Sequence, residues 1–283
     1  MAITPQMVKE LREKTGAGMA DCKKALDETN GDMQTAIEFL RKKGAASSEK
    51  RADKDANEGI VIVRSYNNGN SAIVLSIASE TDFVARNEQF VNYANTVADA
   101  LEANNPATLA ELMECKTEND TVGGIHNEIL AKFSENISIK EWAKLSSEGS
   151  FTTYIHMGSK LGVLLETSLN NPSEEATKLL KDITMQIAAM KPGFVYRSEV
   201  SEEKLAKEKE IYVEQAINEG KKPEIAERVA TGRIDKFFQE NCLVEQAFVK
   251  DGSKTVADVV NEISKISGQE VKVLSFRRIF LGE

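Results

Sequence analysis

At 283 residues, with 41% hydrophobic and 29% charged side chains, the chain is long enough for two or three compact units, and its composition is that of a globular rather than a disordered protein. The 36 basic against 45 acidic residues leave a formal charge of −9, which argues against general binding along a nucleic-acid backbone, a contact that needs a basic surface. No apolar run approaches the roughly 18 residues that span a bilayer, and the start lacks the pattern of a secretion signal, so no membrane binding and a cytoplasmic location are expected.

Catalytic chemistry has few parts to work with. Cys22, Cys115 and Cys242 are odd in number and lack a Cys or His at zinc-site spacing, so they are expected to be reduced and structural. His126 and His156 are the only histidines, and neither a P-loop pattern nor a Gly-x-Ser-x-Gly elbow is present. The expectation is a protein that is not an enzyme, with no cofactor, no metal and no direct nucleotide binding.

The first elements are three short helices within residues 1–44. Thr4 and Pro5 form a cap and first-turn pair ahead of Val8 and Leu11, and Thr15-Gly16-Ala17-Gly18 ends that run. Met19, Cys22, Ala25 and Leu26 follow at helical spacing and stop at Asn30-Gly31; Asp32 then caps a third run carrying Ala36, Ile37 and Leu40, expected to end at Arg41-Lys42-Lys43-Gly44. Such a small bundle either keeps all of its apolar surface as core or lends some of it to docking. Residues 45–57, almost without large apolar side chains, read as a solvated linker.

Beyond the linker the sequence repeats weakly. Glu58-Gly59 recurs as Glu148-Gly149, an offset of 90, and each pair precedes strand, turn and strand: Ile60–Tyr66 and Ala72–Ile77 around Asn68-Gly69, then Phe151–His156 and Leu161–Leu165 around Gly158. Farther on, Thr121-Val122 with Asn127-Glu128-Ile129 matches Thr255-Val256 with Asn261-Glu262-Ile263 at an offset of 134, ahead of strands at Ile137–Ile139 and Val271–Leu274. The growth of the offset by 44 residues places an insertion in the second copy. Residues 198–240 supply it as a helical hairpin of coiled-coil type, with Ser201 as a cap, Gly220 and Pro223 at its turn, and Leu205, Tyr212, Ala216, Ile217, Ile225, Val229, Phe237 and Phe238 as its apolar stripe. The hairpin reads equally as a surface ornament or as an interaction arm. The fold class is therefore α+β, with core half 1 at 58–145, core half 2 at 146–197 and 241–283, and antiparallel sheets expected in both.

Within the first bundle, Asn30-Gly31-Asp32 after Thr15-Gly16-Ala17-Gly18-Met19 resembles the ubiquitin-associated type of three-helix module. The fuller string, with Lys9-Glu10-Leu11-Arg12 and Asp21-Cys22-Lys23-Lys24-Ala25-Leu26, resembles the N-terminal module of the elongation factor Ts family, and Thr81-Asp82-Phe83-Val84-Ala85-Arg86-Asn87 is similar to that family's most specific motif. On residue type alone, Asp82 reads as a helix N-cap and Phe83 as a core aromatic. The resemblance implies something else: Thr81, Asp82, Phe83 and Val84 form the segment that enters elongation factor Tu near its magnesium and phosphate site and displaces the ion.

Further expectations come with the resemblance. It implies that Arg12, Met19 and Lys23 hold elongation factor Tu from outside, although Met19 also reads as a structural residue, and that His156 makes a secondary contact. The expected partner is elongation factor Tu in its GDP-bound and nucleotide-free states, with self-association through the helical hairpin left open. Some family members continue into a C-terminal helix beyond the strand that ends near Arg277-Arg278-Ile279-Phe280-Leu281-Gly282-Glu283, so here the N-terminal module is expected to do more of the clamping. The competing reading is an adaptor that scaffolds other proteins through its bundle and hairpin.

Overall fold

The computed structural model describes residues 3–50, 54–156 and 158–282. Three helices come first: α1 (Pro5–Thr15), α2 (Met19–Glu28) and α3 (Met33–Lys50). Thr4 caps α1 by accepting from the Met7 N–H, and Gly16 ends it in the left-handed region at φ 69°. Asp32 accepts from the Thr35 N–H at 2.7 Å at the start of α3. Val8, Leu11, Cys22, Ala25, Leu26, Ala36 and Leu40 make the bundle's core.

The expected end of the third helix at Gly44 is corrected: α3 runs on to Lys50, into the stretch read as linker, while residues 51–53 lie outside the described residues. The reason is packing. A Cβ on Gly44 would lie 2.4 Å from the Ala131 Cα, so this glycine permits a close helix–helix approach instead of stopping a helix.

The rest of the chain is two copies of one plan. The first comprises β1 (Glu58–Tyr66), β2 (Ser71–Ser79), α4 (Asp82–Ala85), α5 (Glu88–Ala103), α6 (Leu109–Glu114), α7 (Val122–Phe133) and β3 (Ser138–Ser146). The second comprises β4 (Ser150–Ile155), β5 (Leu161–Thr167), α8 (Glu174–Met190), then α9 (Glu202–Asn218) and α10 (Pro223–Asn241), a short β6–β7 pair (Ala247–Phe248, Asp251–Thr255), α11 (Val256–Ser267) and β8 (Val273–Phe280). Each copy builds a three-stranded antiparallel sheet, in the orders β1-β2-β3 and β4-β5-β8.

Strand alternation sorts the side chains into three layers of core. Ile62, Ile73, Leu75 and Ile77 face α5 and α7, and Val163 and Leu165 face α8 and α11. Between the sheets lie Val61, Val63, Ala72, Val74, Phe151, Leu164 and Ile279. Gly162 leaves room there for Val61, whose Cγ1 would be 2.6 Å from an added Cβ. The recurring Glu-Gly pair has a physical cause as well: a Cβ on Gly59 would lie 2.1 Å from the Ile77 carbonyl oxygen, and one on Gly149 would lie 1.8 Å from that of Thr167.

Two sequence expectations fell short at the last strand of each copy. Both β3 and β8 extend well past the apolar runs at Ile137–Ile139 and Val271–Leu274, because each is an edge strand whose charged members, Lys140, Glu141, Lys144, Arg277 and Arg278, mask the pattern. The hairpin's stripe also needs correction. Ala216, Ala226 and Ala230 fill the seam between α9 and α10, with Phe237 and Phe238 buried at its base, whereas Ile217 and Ile225 near the Gly220 turn stay exposed. Alanines let the two backbones approach closely, which leaves the larger side chains outside.

Candidate functional site

The site is built at the end of β2. The Ser79 hydroxyl donates to the Thr81 carbonyl at 3.0 Å, and Thr81, in extended conformation, caps the single turn of α4 by accepting from the Val84 N–H. Thr81, not Asp82, is therefore the cap, and Asp82 is the first helical residue. There its carboxylate faces the positive end of the turn and pairs with Arg86 at 3.3 Å, a surface contact of small energetic weight.

The neighbouring side chains then diverge. Val84 is buried with Phe90 and Val97 in the first core, worth about 1.5–3 kcal/mol of desolvation, while Phe83 is 85% exposed. The core-aromatic reading of Phe83 is thus overturned. A turn of four residues has one inward face, and Val84 occupies it.

A residue that sequence reasoning missed holds this turn from behind. Glu135, in the link between α7 and β3, accepts from the Thr81 hydroxyl at 2.8 Å through Oε1 and from the Thr81 N–H at 3.2 Å through Oε2. Beside it the Asn136 N–H donates to Glu80 Oε1 at 2.7 Å, and the Asn136 side-chain amide donates to the Lys54 carbonyl at 3.0 Å. No periodicity or motif marks Glu135; only the fold brings it to Thr81.

The remaining candidates lie in two other places. Arg12 on α1 and Lys23 on α2 are exposed, and Met19, first residue of α2, is 47% exposed, so it lies outside the bundle core. His156 sits in the β4–β5 connection, exposed, with Nδ1 2.8 Å from the Tyr154 hydroxyl. The bundle itself is docked on α7: Arg41 of α3 pairs with Glu128 and lies 3.8 Å from Asp120, and Gly16 approaches Lys132.

The titratable groups have structural explanations. His126 on α7 lies 2.6 Å from the Tyr93 hydroxyl, and burial pushes its pKa down to about 4. Cys22, Cys115 and Cys242 are free thiols, and burial raises Cys242 to about 11. Among the described residues no group of three or more His, Cys, Asp or Glu is placed to hold a metal ion, and no helix is long and apolar enough to cross a membrane.

The turn thus presents an exposed aromatic ring beside a carboxylate and is held from behind by Glu135. The family model described as Elongation factor TS matches residues 80–283. Over 99% of this chain, an elongation factor Ts of Chloroherpeton thalassium is 44% identical with 99% of its own length covered. One of Clostridium perfringens strain 13 is 44% identical with 93% covered, and one of Chlorobaculum tepidum is 43% identical with 99% covered. The chain belongs to the elongation factor Ts family, a family of translation elongation factors that promote guanine-nucleotide exchange.

Proposed function

We propose that the protein binds elongation factor Tu carrying GDP, promotes GDP release by distorting the magnesium and phosphate site, and leaves the nucleotide-free partner ready for GTP. The observation that carries this reading is Phe83, 85% exposed on a turn that the buried Val84 and the hydrogen bonds to Glu135 anchor from behind. Burying that ring in a partner gains roughly 1.5–3 kcal/mol, enough to help separate a pair of packed helices. Asp82 beside it redirects hydrogen bonds around the magnesium shell and weakens a cation that otherwise holds the GDP phosphates. Thr81 and Val84 frame the pair without touching nucleotide. Because coupling is reciprocal, nucleotide reloading weakens the factor's own hold and expels it, so exchange cycles without covalent chemistry.

Arg12, Met19 and Lys23 clamp the GTPase domain from the bundle, and His156 adds a lesser contact in the second half. The bundle with α3 running to Lys50, core half 1 at 58–145 and core half 2 at 146–197 and 241–283 then carry these surfaces, with the hairpin of 198–240 as an arm. The exposed Ile217 and Ile225 give that arm an apolar tip through which two copies can associate, which sedimentation at rising concentration would reveal. The site of action is the cytoplasm, where protein synthesis occurs.

The test is release of a fluorescent GDP from elongation factor Tu in the presence of excess unlabelled GDP. The proposal expects saturable acceleration by the wild-type protein. An adaptor would bind without accelerating release, and that result would contradict the exchange reading.

A further inference from the structure

The turn that presents Phe83 is too short to hold its own shape. α4 has four residues, and a single helical turn does not repay the ordering of its backbone. Val84 fastens the inner side in the first core, and the Ser79 hydroxyl holds the Thr81 carbonyl. What fixes the two donors of the cap is one carboxylate that takes both of them: Glu135 accepts the Thr81 N–H at 3.2 Å and the Thr81 O–H at 2.8 Å. With its proton committed to Glu135, the hydroxyl keeps a lone pair for the Val84 N–H at 3.4 Å. The neighbouring residues repeat the fastening, the Asn136 N–H donating to Glu80 at 2.7 Å, so that 80–81 and 135–136 are stapled pair to pair.

We propose that Glu135 is a positioning residue for Phe83: by fixing both polar groups of the Thr81 cap, it sets the direction in which the ring leaves the core. This rests on the reading of Phe83 as the distorting element. Glu135 lies just past the C-cap of α7, the helix that receives Arg41 of the bundle at Glu128, so the aromatic and the N-terminal clamp are referred to one helix. The direction of the ring matters because a wedge distorts a partner only from the correct angle, whereas binding as such tolerates a loose side chain.

Two measurements on the full chain decide this. In hydrogen exchange, Glu135→Ala is expected to speed exchange of the amides between 81 and 86 by about tenfold or more, the scale of losing hydrogen bonds to a charged acceptor, while those of β2 and α5 keep wild-type protection. In fluorescent-GDP release from elongation factor Tu, the same variant is expected to lower the maximal rate about five- to tenfold and to shift the half-saturating concentration less than about twofold. Glu135→Gln, which keeps one acceptor oxygen, is expected to recover about half of the lost rate, and Glu135→Ala is expected to add almost nothing in a Phe83→Ala background.

Unchanged exchange at 81–86, an unchanged maximal rate, or a loss that multiplies fully with that of Phe83→Ala would each overturn the proposal. Should Glu135→Ala fail to fold, Glu135→Gln carries the same comparison at about half the size, since it leaves the Thr81 hydroxyl in place as the cap for the Val84 N–H. If the wild-type protein does not accelerate release at all, the functional reading fails instead, and the hydrogen-exchange arm still decides whether Glu135 orders the turn.

Discussion

The two core halves share a frame and differ in what hangs from it. After β2 the first half inserts the single turn α4, carrying Phe83 into solvent, before Asn87 caps α5. After β5 the second half passes through 168–173 directly to α8, burying Leu169 and leaving no counterpart of the exposed turn. Its own addition comes later, as the α9–α10 hairpin ahead of α11. The difference teaches that the repeated sheet and helices supply stability, and that each copy acquired its specialised surface in a connection, where insertions do not disturb the packed layers.

If the frame is truly repeated, equivalent residues should fail equivalently, and the largest effects should fall on both copies. Gly59→Ala and Gly149→Ala each drive a methyl into a carbonyl of the paired strand, and each is expected to cost about 3 kcal/mol or more in denaturant unfolding. A large loss at one with none at the other would break the symmetry.

An intermediate effect belongs to the first half alone. His126 titrates near 6.5 in an unfolded chain and near 4 when buried against Tyr93. Between those values the unfolded state holds a proton that the folded state refuses, so this contribution to stability is full above 6.5 and is lost as pH falls toward 4. The expected loss is about 2 kcal/mol by about pH 4.5, checked by urea unfolding at neutral and acid pH. His126→Gln, which retains an acceptor for Tyr93, should remove that portion of the pH dependence; an identical profile would contradict the assignment.

The smallest effect sharpens the comparison. Thr121 and Thr255 cap the equivalent helices α7 and α11, but only Thr255 has a reciprocal partner, Asp258, since the corresponding position in the first half is Gly124. Thr255→Ala is expected to cost about 1.5 kcal/mol and Thr121→Ala about 1 kcal/mol, measured by thermal unfolding. Equal costs would mean that the Asp120 carboxylate, 2.7 Å from the Thr121 N–H, replaces the missing half of the box.

Much of this was legible in the sequence, for reasons that name particular residues. The helix caps Thr4, Asp32 and Ser201, and the paired Glu-Gly and Thr-Val signals of the repeat, are local chemistry that needs no fold to interpret. Gly44 misled because a glycine that ends a helix and one that admits a neighbouring helix look alike in one dimension. β3 and β8 were read short because edge strands tolerate charge. Phe83 was ambiguous by residue type, and its exposure follows only from the burial of Val84 beside it. Glu135 could not have been found, since its meaning lies in a contact 54 residues away.

The central claim is that Phe83 distorts the partner and does not merely hold it. Stopped-flow release of fluorescent GDP from elongation factor Tu, across a titration of wild type, Phe83→Ala and Arg12→Ala, separates the two roles. Only interactions gained in the distorted state can raise the maximal rate. Phe83→Ala should therefore lower that rate by about tenfold or more with little change in half-saturating concentration, the scale of losing a buried aromatic. Arg12→Ala should raise the half-saturating concentration and leave the maximal rate near wild type. A Phe83→Ala protein with an undiminished maximal rate would contradict the account.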